Sequence, residues 1–161
     1  MPLLKRDGTI SEDQWTALGD DDDVPPQGDV IISHARLPLD VPGRLGIRFA
    51  NDLDVSNLEL DLSQVSLIVL TFPSFADGRA YSQARALRNT LSYDGELRAS
   101  GHLLPDQLAF MVEVGFDSFD LQTDRFAVER WTEALEEVTL TYHRHLSRPG
   151  QSLIIAARHA G

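Results

Sequence analysis

The chain has 161 residues, of which 42% are hydrophobic, enough for one core of ordinary domain size and too many for a disordered chain. Its formal net charge of −11 argues against nucleic-acid binding, which depends on basic surfaces that neutralise phosphates. The chain contains no cysteine, which excludes disulfides, iron–sulfur clusters and a thiol nucleophile. Any electron-transfer role would therefore need a bound cofactor held by other residues. No apolar run approaches the roughly 20 residues that cross a bilayer, and we find no secretory signal. We therefore expect a cytoplasmic protein that does not enter a membrane.

The first part of the chain, residues 1–28, reads as an acidic arm that contains proline and glycine and precedes a single α/β domain at residues 29–161. The carboxylates of the run Asp20–Asp23 repel one another, and the prolines that follow cannot continue a helix. We favour a solvated linker over a cation site for this run. Trp15 and Leu18 are the residues of the arm that could pack on the core.

Hydrophobic patterns predict the order of elements after the arm. Strands are predicted at residues 30–32, 45–49, 65–72, 96–99 and 116–121, with helices at 79–91, at 104–114 and from residue 124. The alternation of strands and helices over residues 45–138 predicts an α/β fold of four βα units with parallel strands. Two architectures fit this prediction, namely a half (β/α)-barrel and a small open parallel sheet.

An exposed sheet edge is the expected consequence of a half barrel, and such an edge invites a partner or a second copy of the chain. The tail, residues 142–161, could cover this edge, because Ser152–Ile155 has strand character. A homodimer is the other way in which the edge could be covered.

The loop between the longest predicted strand and the next helix is the first candidate site, because ligands of parallel α/β folds bind at the carboxyl ends of strands. Asp77 and Gly78 can form a tight turn, and Asp77 can cap the helix. The free N–H groups of the helix start, together with Arg79, could then bind an anion. A plain turn with Arg79 in solvent is the simpler interpretation of these residues.

Glu96 and Arg98 form the second candidate site. Alternation along the strand places both on one face, and a charged face on an interior strand requires partners or a function. We take Asp77 and Glu96 as candidate catalytic acid–base groups, and Gly78, Arg79 and Arg98 as candidate anion-binding residues. The alternative is a structural ion pair between Glu96, Arg98 and neighbours such as Asp77 or Arg79.

Three residues are expected to support this site, namely Tyr81, Asp106 and Gln107. Asp106 follows a proline in the first turn of a helix, where a carboxylate usually compensates the helix dipole. His102 could serve as a base, but a lone histidine near a loop is more often an ordinary polar residue.

No metal site is predicted, because His143 and His145 lack an obvious third ligand. The usual flavin, nicotinamide and nucleotide motifs are missing from the sequence, so no cofactor follows from it.

Four segments of the sequence carry a family resemblance. They are FPSFADGRAYS at 72–82, GELRASG at 95–101, DQL at 106–108 and GFDSF at 115–119. Their order and spacing resemble the bacterial domain-of-unknown-function family 934 over about residues 30–140. Members of that family are commonly labelled as oxidoreductases involved in sulfite reduction. They are encoded beside the sulfite reductase haemoprotein and the adenylyl-sulfate reductase.

The resemblance implies an accessory protein or oxidoreductase component of assimilatory sulfite reduction (sulfur assimilation) that acts with the sulfite reductase haemoprotein. The family supplies no catalytic residue set, so the motif positions carry over only as important positions. An alternative function is a small-anion-binding α/β enzyme, in which the Asp-Gly-Arg loop and the Glu/Arg strand hold sulfite, sulfate or phosphate. A third is a homodimeric scaffold whose charged cluster is structural.

Overall fold

The computed structural model describes the backbone of residues 2–146 and the side chains of residues 2–138. The strand-like segment Ser152–Ile155, and the tail expected to cover a sheet edge from residue 147 onward, lie outside the described residues. No helix of the described part is long and apolar enough to cross a membrane.

Eight strands of the described chain form one mixed, mostly parallel sheet, in the order β2-β1-β8-β7-β6-β5-β4-β3. The six strands β3 to β8 run parallel, whereas β1 runs antiparallel to both of its neighbours. Their bounds are β1 Pro2–Lys5, β2 Ile10–Glu12, β3 Thr16–Ala17, β4 Val30–Ser33, β5 Leu45–Phe49, β6 Val65–Phe72, β7 Glu96–Gly101 and β8 Ser118–Asp120. The predicted α/β class with parallel strands is confirmed.

Three α-helices follow strands β6, β7 and β8. They are α1 Arg79–Arg85, which continues into a π-helical turn at Ala86–Thr90, α2 Leu108–Val114 after a 3-10 turn at Pro105–Gln107, and α3 Val128–Leu146. The remaining 3-10 turns lie at His34–Arg36, Val55–Asn57 and Leu62–Gln64.

The expectation of four βα units is wrong, because the connection between β5 and β6 contains 3-10 turns and no α-helix. The side chains of Asp54 and Asp61 accept hydrogen bonds from the backbone N–H of Ser56 and Ser63, each at 3.0 Å. Such local side-chain bonds compete with helix extension and favour short turns. Three βα units remain.

The segment read as a peripheral arm differs from that expectation, because it supplies three strands of the sheet. Leu3 and Leu4 of β1 are 3% and 0% exposed, and Leu4 lies opposite Phe119 of β8. Leu18 is also buried, and Trp15 packs against the sheet.

The sheet is curled into an open half-barrel. The two edge strands, β2 and β3, are joined by three residues, Asp13 to Trp15, which we call the connector. Four steps along an extended chain span at most about 15 Å. Eight strands laid flat would hold their edges about 34 Å apart at a spacing of about 4.8 Å. The short connector therefore requires the curl, and the sheet has the predicted half-barrel form while staying open.

The curl gives the sheet an outer face covered by helices and an inner face covered by the connector. On the outer face, Leu97 and Ala99 join a large apolar core that includes Ala84 of α1 and Met111 of α2. On the inner face, Ile31, Leu67 and Val69 form a separate small cluster against Trp15. The inner face is therefore the place where polar side chains can be held away from bulk water.

Candidate functional site

The loop Ser74–Gly78 leaves the carboxyl end of β6 and leads into α1, as predicted. The Asp77 carboxylate accepts a hydrogen bond from the backbone N–H of Arg79, the first residue of α1, at 3.0 Å, but the N-cap itself is Gly78, which has no capping side chain. The Arg79 side chain is 65% exposed and its Nε lies 3.9 Å from Asp77. Ser74, Gly78 and Ser82 line the shallow, open surface around it. This loop thus presents Arg79 to solvent on the outer side of the sheet.

Glu96 and Arg98 lie side by side on the inner face of β7, as alternation predicted. The Arg98 side chain is 2% exposed; its Nη2 lies 3.5 Å from Glu96 and its Nη1 lies 3.0 Å from Asp13 of the connector. Glu96 also accepts a hydrogen bond from the hydroxyl of Ser118 at 2.6 Å. The partner of Arg98 beyond its own strand is therefore Asp13, rather than Asp77 or Arg79.

The two halves of the predicted site do not come together. Glu96 pairs in register with Leu67 near the start of β6, whereas the loop with Arg79 follows Phe72 at the end of that strand. At about 3.3 Å per residue, these levels are about 17 Å apart along the sheet. Moreover, α1 packs on the outer face while Glu96 and Arg98 point to the inner face. The structure therefore places the catalytic candidates Asp77 and Glu96 in two separate environments.

The predicted supporting residues shape the outer surface at the carboxyl end. The ring of Tyr81 lies 5.0 Å from that of Phe72 and 4.7 Å from that of Phe110, and burial raises the pKa of the Tyr81 phenol. Gln107 donates a hydrogen bond to the backbone carbonyl of Phe75 at 3.1 Å. Asp106, which is 82% exposed, pairs with Arg130.

Three side chains from three loops form what we call the Phe75 surface, namely Phe75, His102 and Arg125, and Arg79 lies nearby in sequence at the start of α1. The ring of Phe75 lies 5.5 Å from the His102 ring. The Arg125 guanidinium lies 4.7 Å from the centroid of the same Phe75 ring. Arg79, His102 and Arg125 are all exposed. Arg79 and Arg125 thus present two guanidinium groups to solvent on a chain whose net charge is −11.

A half-buried arginine, Arg88, fixes the amino ends of β7 and β8 from the π-helical turn. Its guanidinium donates to the carbonyls of Tyr93 (2.7 Å), Gly95 (2.8 Å) and Gly115 (2.8 Å). It also donates to the carboxylate of Asp117 at 2.6 Å, and that carboxylate accepts from the backbone N–H of Leu97. These residues fall in or beside the family-like motifs, so part of that signature holds the fold.

Two glycines of these motifs leave room for neighbouring side chains. Gly115 has φ +114°, and a Cβ there would lie 2.8 Å from Cγ of Arg88. A Cβ at Gly95 would lie 2.1 Å from the hydroxyl of Tyr93, which donates to the carbonyl of Val65. Both positions therefore require glycine for steric reasons.

The carboxyl half of the inner face is polar and partly open to solvent. Its inward-facing side chains come from five strands: Ser33, Arg48, Thr71, Ser100 and Asp120. Arg48 is exposed, and the other four are half-buried. Burial is the main cause that raises the pKa of Asp120, opposed by the charge of Arg98 and a hydrogen bond from Ser100. We call this region the inner mouth.

Sequence reasoning missed Asp13, Arg48, Arg88 and Asp120 as site or network residues. The alternation that selected Glu96 and Arg98 also applies to Arg48 of β5, and Asp117 falls within the motif GFDSF. Nothing local marks Asp13, whose contact depends on the curl. Among residues 2–138, no three histidine, aspartate or glutamate side chains come together as metal ligands.

Comparison with known proteins gives one match. The family described as bacterial protein of unknown function (DUF934) matches residues 46–152, which is well over half of the chain. The match contains all four motifs named above, as well as Arg88. No curated protein and no solved structure matches the chain. The chain therefore belongs to the DUF934 family.

Proposed function

We propose that this protein is an accessory component of assimilatory sulfite reduction that binds the sulfite reductase haemoprotein through the Phe75 surface. The pathway follows from the family label that the motif resemblance implies. The docking role is supported by one observation, the contact of exposed His102 and Arg125 with the half-buried ring of Phe75, beside exposed Arg79, on an acidic chain. Arginine and aromatic side chains are enriched in protein interfaces.

The charge arrangement suits a partner with an acidic patch. The guanidinium of Arg125 has no ion-pair partner in the described part of the chain, and Arg79 has only the 3.9 Å contact with Asp77. Complementary charges accelerate docking and set its orientation, and salt screens them. The rest of this acidic surface would repel the same patch, which restricts docking to one orientation.

The sheet edge that the sequence suggested as a partner site is a weaker candidate. The edge strands β2 and β3 have three and two residues, and the connector joins them across the inner face. Short edge strands offer few unpaired backbone groups to a second chain. A homodimer through this edge stays a prediction, which light scattering of the purified protein would test.

The alternative of an anion-binding enzyme built from the Asp-Gly-Arg loop and the Glu/Arg strand has little geometric support. Its two halves lie about 17 Å apart along the sheet and on different faces. In addition, Asp13 and Glu96 already balance the charge of Arg98. We therefore rank the accessory role above that enzyme.

Copurification of the tagged protein with the haemoprotein at low salt tests the docking role. We expect a complex that dissociates as salt is raised and that Arg125→Glu weakens at least tenfold. Lys5→Glu is the matched control, because exposed Lys5 lies in register with Ser118 at the amino end of the sheet. Failure to form any complex at low salt would overturn the proposal.

Growth of a deletion strain of the host bacterium tests the pathway. We expect loss of growth on sulfate and normal growth on sulfide, since sulfide enters after sulfite reduction. Loss of growth on both sulfur sources, or on neither, would remove sulfite reduction as the role.

A further inference from the structure

One buried guanidinium on the inner face is shared by more carboxyl groups than it can neutralise. Arg98 is 2% exposed, and its terminal nitrogens lie 3.0 Å from Asp13 and 3.5 Å from Glu96. Asp120 of β8 is a third carboxyl on this face, close enough for the charges of Arg98 and Asp13 to act on it. When all three are ionised, three negative charges share one positive charge in a place that water screens weakly.

The pairing register brings Asp13 and Asp120 to the same end of the sheet. Glu12, which precedes Asp13, pairs with Pro2 of β1. The carbonyl of Pro2 accepts a hydrogen bond from the backbone N–H of Leu121, the residue after Asp120. Strands β1 and β8 lie between β2 and β7, so Asp13 reaches β7 across the inner face on which Asp120 also lies. The position of the connector therefore depends on the charge at Asp120.

Asp120 is the member of this cluster whose ionisation is costly. Burial is the main cause that raises the pKa of its carboxyl, and the charge of Asp13 raises that pKa further. The charge of Arg98, a hydrogen bond from Ser100 and the positive charge at the amino terminus lower it. Three more charged side chains face inward, at least two residues or two strands away in the register: Lys5, Glu96 and Arg48.

We propose that the connector is a pH-sensitive latch, which stays seated on the inner face while Asp120 is protonated and is released more often once Asp120 is ionised. With Asp120 neutral, Asp13 pairs with Arg98 and no like charge lies beside it. With Asp120 ionised, the two carboxylates repel each other and compete for the same guanidinium. Release separates and rehydrates them, so a rise in pH shifts the population toward the released form. This inference does not depend on the partner or the pathway proposed above.

Release of the connector would uncover the apolar part of the inner face. Trp15 of the connector packs against the small cluster of Ile31, Leu67 and Val69. The carboxylate of Asp13 also accepts a hydrogen bond from the backbone N–H of Trp15, so the contact with Arg98 and the seat of the tryptophan are linked. Trp15 therefore reports on the latch directly.

Acrylamide quenching of tryptophan fluorescence from about pH 5 to about pH 8 tests the latch. The chain has two tryptophans, and Trp131 is 0% exposed, so quenching reports mainly on Trp15. We expect the quenching constant of the wild type to rise about twofold with pH, and that of Asp120→Asn to stay at the low value. Ser100→Ala removes a hydrogen bond to the ionised carboxylate and should move the rise to higher pH. Asp61→Asn removes a carboxylate just before β6 and should follow the wild type.

Trp15→Phe leaves Trp131 as the only emitter and shows whether the opening is local. Its quenching should stay low at every pH, because the main core remains closed. Three results would overturn the latch: a wild-type quenching constant that does not change with pH, a wild-type pH dependence in Asp120→Asn, or an equal rise in Trp15→Phe. Circular dichroism at each pH establishes that the proteins compared are folded. These outcomes are separable from the docking test, which measures a complex at one pH.

Discussion

The carboxylate of Asp13 lies 3.0 Å from Nη1 of Arg98, although 85 residues separate them in the chain. The contact joins the connector to the middle of the sheet and covers the buried guanidinium. The same aspartate accepts a hydrogen bond from the backbone N–H of Trp15 at 3.1 Å, which fixes the turn of the connector. One carboxylate thus sets both the path of the connector and the charge balance of the inner face.

Asp13→Ala should lower the free energy of unfolding by about 2 kcal/mol, because it leaves the buried charge of Arg98 with Glu96 alone. Urea denaturation measures this change. In an Arg98→Met background the same substitution should cost much less, since the charge is gone. An equal cost in both backgrounds would show that the ion pair contributes nothing.

Asp117→Ala should lower the free energy of unfolding by about 3 kcal/mol. The substitution removes the partner of Arg88, whose side chain is 14% exposed, and the acceptor for the N–H of Leu97. Asp106→Ala, which breaks the exposed pair with Arg130, should cost about 0.5 kcal/mol or less. Similar costs for the two variants in urea denaturation would contradict the structural role of the Arg88 network.

Gly115→Ala should lower the free energy of unfolding by about 2–3 kcal/mol. Alanine at φ +114° is strained, and its Cβ would lie too close to the Arg88 side chain. Gly8→Ala is the control, since Gly8 has φ +92° but open space around it. We expect about 1 kcal/mol for Gly8→Ala, from the backbone conformation alone. Thermal and urea unfolding of both variants separate the contact with Arg88 from the conformational cost.

The free energy of unfolding of the Asp120→Asn variant should rise relative to that of the wild type as pH rises through the mildly acidic range. Burial raises the pKa of Asp120, so the folded protein holds this proton more tightly than the unfolded chain does. Stability from this group is therefore lost as pH rises from the ordinary carboxyl pKa through the raised one, and the asparagine variant lacks this loss. Urea denaturation at a series of pH values measures the difference.

Asp61→Asn provides a comparison of opposite sign. Hydrogen bonds from Ser63 lower the pKa of Asp61 in the folded protein. The wild type is therefore more stable than the variant at neutral pH, and this difference in stability is lost as the solution is acidified through the lowered pKa. An Asp120→Asn difference with this same pH dependence would contradict the burial of the Asp120 carboxyl.

The elements that the sequence predicted well are those with strong local signals. Strand β6 matches its predicted bounds, Val65–Phe72, because a continuous apolar run bounded by Pro73 leaves few alternatives. Gly115 ends α2 in the left-handed conformation, which glycine commonly adopts just after a helix. Strand β1 was missed, because four residues are too few for a pattern and its partner β8 comes late in the chain.

The parts of the candidate site that could be predicted also depend on local signals. The period of a strand sufficed to place Glu96 and Arg98 on one face. No local rule could give Asp13 as their partner, because that contact arises from the curl of the whole sheet. The expected neighbourhood of Arg79 and Arg98 was wrong, because Arg79 follows the carboxyl end of β6 on the outer side, whereas Arg98 lies in the middle of β7 and points to the inner face.

The position of β1 affects how the chain acquires its structure during synthesis. Leu4 is synthesised long before its neighbour in the sheet, Phe119, because the two are far apart in the sequence. Until then β1 and β2 can pair only with each other. Leu3 and Leu4, which the finished sheet buries, stay exposed to water during this time. Such distant pairing slows folding, and it makes the β1–β2 hairpin a segment of the nascent chain that needs protection from aggregation.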